Sequence, residues 1–487
     1  MRMQAAQQRS SPHSWPTSSI LGPTSRRLGV ALVAIGALWA GVLWVILTPP
    51  QDAGPALPSS AKVAGQARTP QSEAPAPGPQ RVGLRALAVT GEPVGVNGSF
   101  DRFGLELMTM VLACNNRGET AFYATIQRSA SEEGIFLAKA DGKIARIAVA
   151  GDPVPDQMGQ LIAGFGERPA PVINDAGGVA FTATLGGGRG AASVFLASEG
   201  KLRTLAASGM RAPVILGGIG VFAEFEAVSL NGRGDVAFLA WVRHGRETIE
   251  AVYAARKVGA VHQLTKIAAA GEPAPGGGFF TSFGAPVVND RGAIAFPAVV
   301  KLGPALGAIF VAPAEAPMHL LIGTGDPAPT GGIFARFSER IGFDDSGRVA
   351  FGAFTKGTGP DFGIFVADGA DRRAIAARGQ PAPGGGVYAS FGAWPAMSHT
   401  GVVAFVAATD KVPASDGVFL LNADGKLTRV LAPGDPLMDG GKLASLGLYP
   451  TVAVASDGSV SFLGIVERDG DEANAVLRYG LAPITPR

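Results

Sequence analysis

A five-residue motif recurs through most of the chain. It reads Gly-x-x-Ala-Phe, with Ser in place of Ala in the last copy, and successive phenylalanines are 54 to 59 residues apart. A fixed period of this length is typical of solenoids and propellers. The seven pairs of repeated residues are Gly118 and Phe122, Gly177 and Phe181, Gly234 and Phe238, Gly292 and Phe296, Gly347 and Phe351, Gly401 and Phe405, and Gly458 and Phe462.

The second copy predicts the structure of one repeat. A short extended run at residues 171–174 leads into the turn Asn174-Asp175-Ala176-Gly177, in which Gly tolerates positive φ. Strands are predicted at residues 178–185, 193–197 and 202–207, separated by a Gly-rich loop and a tight turn. Four short strands joined in this way form one antiparallel sheet. The repeated Phe residues are predicted to be core.

Both ends of the repeat region indicate a closed ring. Residues 84–89 match the fourth strand of a repeat, whereas residues 475–479 match the third. The first strand of the region would therefore complete the last sheet. Radial stacking buries both faces of each sheet. We predict an all-β, seven-bladed β-propeller of four-stranded antiparallel blades, closed by an N-/C-terminal strand clasp and preceded by one transmembrane helix.

The segment before the repeats predicts a membrane anchor. Residues 28–47 form an uncharged run long enough to span a bilayer, and arginines but no acids precede it. We expect residues 1–27 in the cytoplasm, the lipid bilayer as partner of residues 28–47, and the propeller on the far side. A cleaved signal peptide is the alternative, although the following Thr48-Pro49-Pro50 suits cleavage poorly. Residues 48–80 form a Pro/Ala-rich linker, 81–482 the propeller and 483–487 a C-terminal tail.

Composition excludes some functions. The formal net charge is +2, and acidic and basic residues balance after position 80, so nucleic-acid binding is not expected. Cys114 is the only cysteine, and its apolar surroundings predict a buried thiol. The histidines fall at different positions of the repeat, so they predict no metal cluster.

A second motif, Gly-Asp/Glu-Pro, marks the crossover between repeats. It stands at Gly91, Gly151, Gly271, Gly325 and Gly434. A ring of carboxylates raises the question of calcium, which needs six to eight oxygens at one point. Because these acids are spread around a rim, a structural role is favoured over calcium, and no cofactor is expected.

The loops between the second and third strands vary most in sequence. Variable loops on a rigid scaffold often carry recognition, so they are the predicted binding face. Its candidate residues are Arg128, Glu132, Arg189, Arg243, His244, Arg246, Glu247, Lys356, Asp361, Asp410, Lys411, Glu467 and Arg468. No nucleophile elbow, P-loop or zinc-protease motif is present in the sequence, and no catalytic or metal-ligating residue is predicted.

The extended motif Asn-Asp-x-Gly-x-x-Ala-Phe resembles the bacterial NxxGxxAF tandem-repeat family, the "choice-of-anchor" proteins. Its leading Asn is Asn115, Asn174, Asn231 and Asn289 in the first four copies and is replaced in the last three. The resemblance spans about residues 82–480 and implies an exported, surface-tethered bacterial protein without assigning catalytic residues.

Together these features favour a binding or scaffolding module at the bacterial cell envelope, in the periplasm or at the cell surface. Its ligand would be an envelope protein or glycan. The alternative is a propeller hydrolase or lyase that acts on envelope glycans. Converging buried acids at the channel mouth would favour that alternative.

Overall fold

The computed structural model describes residues 83–480, except for 95–97, 105–110, 156, 158, 187–190, 216, 412–414 and 448–449. The chain divides into the unit Met1–Pro75, which lies outside the described residues, and the unit Ala76–Arg487, which contains all of the described strands. The predicted membrane helix at 28–47 belongs to the first unit. Among the described residues, no helix is long and apolar enough to cross a membrane.

Seven antiparallel sheets follow one another along the chain, and most have an inner strand broken into two short pieces. Blade 1 consists of β2 (Ser99–Arg102), β3 (Ala113–Cys114), β4 (Thr120–Gln127), β5 (Glu133–Ala138) and β6 (Ile144–Val149). Blade 2 consists of β7 (Ile162–Gly164), β8 (Val172–Ile173), β9 (Val179–Leu185), β10 (Ala192–Ser198) and β11 (Lys201–Ala207). Blade 3 consists of β12 (Arg211–Ile215), β13 (Gly218–Leu230), β14 (Val236–His244), β15 (Glu247–Val258) and β16 (Val261–Ala269).

The remaining blades repeat this order. Blade 4 consists of β17 (Phe279–Phe283), β18 (Val287–Val288), β19 (Ile294–Lys301), β20 (Gly307–Ala312) and β21 (His319–Gly323). Blade 5 consists of β22 (Ile333–Phe337), β23 (Gly342–Phe343), β24 (Val349–Lys356), β25 (Phe362–Asp368) and β26 (Asp371–Ala377). Blade 6 consists of β27 (Tyr388–Phe391), β28 (Ala396–Met397), β29 (Val403–Thr409), β30 (Ser415–Leu421) and β31 (Leu427–Leu431). Blade 7 consists of β32 (Lys442–Ser445), β33 (Val452–Val454), β34 (Val460–Arg468), β35 (Asp471–Tyr479) and β1 (Leu84–Val89).

The inner strands form a closed ring. Contacts between neighbouring blades run through β3, β8, β13, β18, β23, β28 and β33 in turn, and β33 contacts β3. Since the series returns to its first strand, the sheets surround one axis. The prediction of a seven-bladed propeller with antiparallel blades is confirmed.

The predicted clasp is also present. Strand β1 pairs antiparallel with β35, with Leu84 opposite Tyr479 and Val89 opposite Ala475. The first strand of the propeller is therefore the outer strand of its last blade. Because this pairing joins residues nearly 400 positions apart, it fastens the ring at one defined place.

The repeated phenylalanines lie between blades in the core, and each is at most 1% exposed. In blades 1–6 the ring packs against the aromatic residue opposite it on the third strand, as in the stacked pair of Phe351 and Phe365 with centroids 5.8 Å apart. In blade 7, Leu477 stands opposite Phe462. The prediction of core positions is confirmed.

Two features differ from the predicted repeat. The inner strand begins earlier than predicted, because pieces such as β7 pair with the far half of the second strand. Blade 3 has an extra strand, β12, where the other crossovers contain only an isolated bridge at a proline. Residue 211 is Arg where those crossovers have proline, so its backbone N–H is free to pair and a strand forms.

Candidate functional site

The predicted binding-face residues lie on hairpins that are spread over the blades. Most are exposed, and His244, Glu467 and Arg468 are half-buried. Arg189 lies outside the described residues. The structure brings none of the hairpins of distant blades into one described pocket. Their role in binding stays a prediction.

Several of these residues are tied to the crossover loop of their own blade. The Asp410 carboxylate accepts the backbone N–H of Val387 at 2.7 Å, and Lys411 Nζ donates to the Gly384 carbonyl at 3.1 Å. Arg468 pairs with Asp439 in the same way. These hairpin side chains therefore help to fasten the glycine-rich crossovers.

The crossover acids have a structural role. Each carboxylate accepts the backbone N–H of the residue three positions before it, at distances between 2.8 and 3.0 Å. The acids are Glu92, Asp152, Glu272, Asp326 and Asp435. Each acid closes its own turn. These hydrogen bonds explain the acidic motif without a bound ion.

The Asn-x-x-Gly turns form a belt of hydrogen bonds around the axis. The side-chain amide of each repeat Asn donates to the backbone carbonyl of the corresponding residue in the next blade, at 2.8–3.0 Å. The series runs from Asn115 through Asn174, Asn231 and Asn289 to Asp344. Since these side chains are buried, the repeat Asn joins adjacent blades as well as shaping its own turn.

The residue after each repeat Asn forms a second ring, which we call the axial ring. Its seven members are Asn116, Asp175, Gly232, Asp290, Asp345, His399 and Ser456. Backbone N–H groups donate to the side chain of the next member from Ser456 to Asn116, from Asn116 to Asp175, from Gly232 to Asp290 and from Asp290 to Asp345. The backbone therefore orients polar side chains around the axis.

A cavity of about 230 Å³ lies on the axis, lined by the inner strands of all seven blades. Its lining extends from Asp175, His399 and Ser456 of the axial ring to Arg340 and Trp394. The walls between are largely apolar, with residues such as Val172 and Val287. A cavity with apolar walls and a few polar groups is typical of small-molecule sites.

Cys114 also lines this cavity, and it is half-buried. The prediction of a buried thiol is therefore corrected: the apolar run before it faces the axial cavity as well as the core. Burial raises the pKa of the thiol, because the charged thiolate is disfavoured away from water. A neutral thiol is a poor nucleophile, which agrees with a role in lining the cavity.

Charged residues meet across the axis near Arg340. Arg168 Nη1 in blade 2 lies 3.8 Å from Glu226 Oε1 in blade 3 and 3.7 Å from Glu339 Oε2 in blade 5. Blades 2 and 5 are not neighbours, so the second contact spans the channel. The Arg340 guanidinium lies over the Trp394 ring, 5.5 Å from its centroid. Desolvation inside the ring lowers the pKa of Arg340, and the nearby Glu226 and Glu339 oppose that shift.

A backbone irregularity lies next to Glu226. The pairing of β13 with β14 shifts register between Glu226 and Val228, and the intervening Ala227 has φ of 48°. A bulge of this kind re-aims a side chain, and positive φ is uncommon for Ala. Local strain beside a cross-axis charge marks Glu226 as a candidate functional residue.

Glu250, at the start of the third strand of blade 3, has a raised pKa and interacts electrostatically with Glu226. Burial raises its pKa to about 7, and the Glu226 carboxylate adds to this rise. Its Oε1 accepts the backbone N–H of Phe283 at 2.8 Å, which opposes the shift. Glu250 can therefore hold a proton near neutral pH.

The sequence alone does not single out these axial residues. A signal for the axial ring was present, because its members occupy one fixed position after the repeat Asn. The cross-axis group of Arg168, Glu226, Glu339, Arg340 and Trp394 had no such signal, because its members lie in the irregular middle of different inner strands.

Solved structures with a similar fold share little sequence with the chain. The polysaccharide lyase Uly1 is 8% identical with a TM-score of 0.39, covering 82% of this chain and 98% of its own. The Dos1 propeller is 10% identical with a TM-score of 0.38, over 82% of this chain and 96% of its own. The GH93 alpha-L-arabinofuranosidase of Fusarium graminearum in complex with arabinobiose is 10% identical with a TM-score of 0.35, over 69% of this chain and 97% of its own.

A search of curated proteins finds no match. A sequence profile does match residues 114–477, which include every copy of the repeat motif. The profile is that of a family of unknown function, DUF7453, and the chain belongs to this family.

Proposed function

We propose that the propeller is a binding module of the bacterial cell envelope that holds a terminal sugar of an envelope glycan in its axial cavity. The observation that carries this proposal is the cavity of about 230 Å³ between the axial ring and the Arg340–Trp394 pair. It lies below the usual size range of about 300–1,000 Å³ for drug-sized ligands, so it suits one small unit rather than a long chain.

The chemistry of the lining suits a hydroxyl-rich ligand. The Trp394 ring offers an aromatic face, and Arg340 offers several N–H donors in one plane. Asp175 and His399 offer acceptors at the other end. Glu226 and Glu339 stand beside Arg340 and Arg168, so two negative charges offset two positive charges. This balance favours a neutral or weakly charged ligand.

A glycan-binding assay tests this proposal. The full-length chain in detergent would be applied to an array of bacterial envelope oligosaccharides that includes peptidoglycan fragments. We expect selective binding that the free terminal sugar inhibits. Capture of an envelope protein together with no binding to any glycan would overturn the proposal and favour a scaffolding role.

A glycan hydrolase or lyase is the second candidate, and Glu250 is the observation that favours it. A protonated acid with a pKa of about 7 beside the Glu226 carboxylate offers two acids in different environments, as glycosidic cleavage requires. Mass spectrometry of the bound oligosaccharides after incubation would detect new ends. Cleavage by the wild type that Glu226→Gln abolishes would favour the enzyme, whereas intact sugars would favour binding alone.

We further propose that residues 28–47 hold the propeller at the membrane with its body outside the cytoplasm. The uncharged run and the arginines before it support this orientation. Protease added to intact spheroplasts should digest the propeller and spare residues 1–27. Protection of the propeller would contradict the orientation, and a shortened soluble form in the medium would favour a cleaved signal.

A further inference from the structure

Three members of the axial ring offer metal-ligating atoms that face one another. His399 Nδ1 lies 3.9 Å from Asp290 Oδ1 and 3.9 Å from Asp345 Oδ1. All three atoms lie within 4.8 Å of one another. Among the described residues, no other group of three His, Cys, Asp or Glu side chains converges in this way. The residues come from blades 4, 5 and 6, so the closed ring creates the group.

The imidazole nitrogen in this group is enclosed and unpaired. In the described part of the chain, His399 Nδ1 has no hydrogen-bond partner and no contact with solvent. Its distance of 3.9 Å to each carboxylate is too long for a hydrogen bond. A buried nitrogen without a partner is costly, and a cation bound between the three atoms would satisfy it.

The backbone holds both carboxylates in place. Asp290 Oδ1 accepts the N–H of Gly232 at 2.5 Å, and Asp345 Oδ1 accepts the N–H of Asp290 at 2.8 Å. The Asp345 N–H donates in turn to the His399 carbonyl at 3.0 Å. Hydrogen bonds of this kind orient the ligands of metal sites. The three side chains as wholes are still 30–39% exposed, so the group opens to solvent at its edge although the His399 nitrogen itself is enclosed.

We propose that Asp290, Asp345 and His399 bind one Zn²⁺ ion at the rim of the axial cavity. Imidazole suits zinc, whereas magnesium and calcium prefer sites made of oxygen alone. Tetrahedral ligands at 2.0–2.1 Å from zinc lie about 3.3 Å apart, so the two distances of 3.9 Å from His399 Nδ1 to the carboxylates need to shorten by about half an ångström. Three protein ligands leave a fourth position for water or a ligand group. The proposal does not depend on the occupant of the cavity.

Zinc binding to the full-length chain in detergent tests the proposal. The protein would be stripped with EDTA and titrated with ZnCl₂ by calorimetry, and the retained metal would be counted after gel filtration. We expect one equivalent of zinc, with the Kd raised at least about tenfold by His399→Ala and by Asp345→Asn. Asn at 345 keeps an oxygen that can accept the Asp290 N–H, so this variant should stay folded. Its unfolding temperature without zinc checks that point.

Asp175→Asn is the matched control. Asp175 belongs to the same ring, and its Oδ1 accepts the N–H of Asn116 at 2.9 Å, as Asp345 accepts that of Asp290. Among the described residues, Asp175 does not belong to a group of converging metal-ligating side chains. Its Kd for zinc should be unchanged. Failure of the wild type to retain zinc, full retention by His399→Ala, an equal loss in Asp175→Asn, or tighter binding of CaCl₂ than of ZnCl₂ would each overturn the assignment.

Discussion

At the scale of single residues, the repeat motif combines backbone geometry with contacts between blades. The turn glycines predicted at positive φ are found there, with φ of 82° at Gly177, 91° at Gly234 and 79° at Gly292. The one departure in the Ala position, Ser461, has a partner in the next blade, because its Oγ lies 2.9 Å from Thr120 Oγ1. Both side chains are buried. The exception therefore adds a polar contact where the ring closes.

Replacing Gly234 by Val should destabilise the propeller by about 1–3 kcal/mol, because a β-branched residue is strained at positive φ. A Cβ at this position would also lie 3.1 Å from Lys257 Cδ. Chemical denaturation measures the change. The control is the double variant Arg243→Ala and Arg246→Ala on an exposed hairpin, which should cost under about 0.5 kcal/mol. Equal losses in the two proteins would contradict the assigned role of the glycine.

Glu250 should make stability depend on pH. Its pKa is about 7 in the folded protein, above the ordinary 4.5. The folded state therefore holds the proton more tightly, and this contribution is complete below about pH 4.5 and is lost as the pH rises through 7. Relative to Glu250→Gln, the wild type should lose roughly 1–3 kcal/mol of unfolding free energy between pH 4.5 and 8.

Urea denaturation at a series of pH values measures this difference. The exposed Glu247→Gln variant is the matched control and should follow the wild type at every pH. Parallel curves for the wild type and Glu250→Gln would show that the carboxyl is not held in its protonated form.

At the scale of elements, blade packing depends on a cluster of aromatic side chains between the inner three strands of a blade. In blade 5, Phe334 of the inner strand meets Phe365 edge-on at 5.0 Å, and Phe351 stacks on Phe365. All three are fully buried. Edge-to-face and offset pairs add to the free energy of burial, so this group holds the strands of a blade together and fills the space to the next blade.

Phe351→Ala should lower the free energy of unfolding by about 3–5 kcal/mol, because it leaves a cavity beside two buried rings. Phe351→Leu should lower the free energy of unfolding by less. In blade 7 a leucine, Leu477, already stands on the third strand where the other blades have an aromatic residue. Thermal unfolding compares the two variants. An equal loss for Leu and Ala would mean that the pair geometry, not the filled volume, determines stability.

The strands also show which parts of a blade can be predicted from sequence and which cannot. The second, third and fourth strands of a blade follow from local turns and short apolar runs, and their bounds in blade 2 agree with the prediction within one residue. The first pieces of the inner strands are only three to five residues long, and the shortest of them, β7, ends in Gly164. Strand β7 pairs with the second strand of its own blade across a register shift, so no regular local pattern in the sequence revealed it.

At the scale of the whole molecule, ring closure creates the candidate sites. The strand clasp and the number of blades could be predicted because they depend on the register of a repeat. The contact of Arg168 with Glu339 could not, since it joins blades that are neither adjacent in sequence nor neighbours in the ring. The axial ring is an intermediate case: the repeat places its members in register, but only the packing of blades 4, 5 and 6 around the axis brings His399 Nδ1 within 3.9 Å of both Asp290 and Asp345.

The central claim is that ligand binds on the axis and not on the variable hairpins. The most direct test compares the glycan affinity of two folded full-length proteins: Trp394→Leu, which alters the cavity wall, and a variant with Ala at Arg128, Arg243, Lys356, Lys411 and Arg468. We predict that Trp394→Leu weakens binding at least about fivefold, because the loss of an aromatic stacking contact costs about 1 kcal/mol or more. The hairpin variant should bind like the wild type. Full binding by Trp394→Leu and its loss in the hairpin variant would place the site on the hairpins and contradict this account.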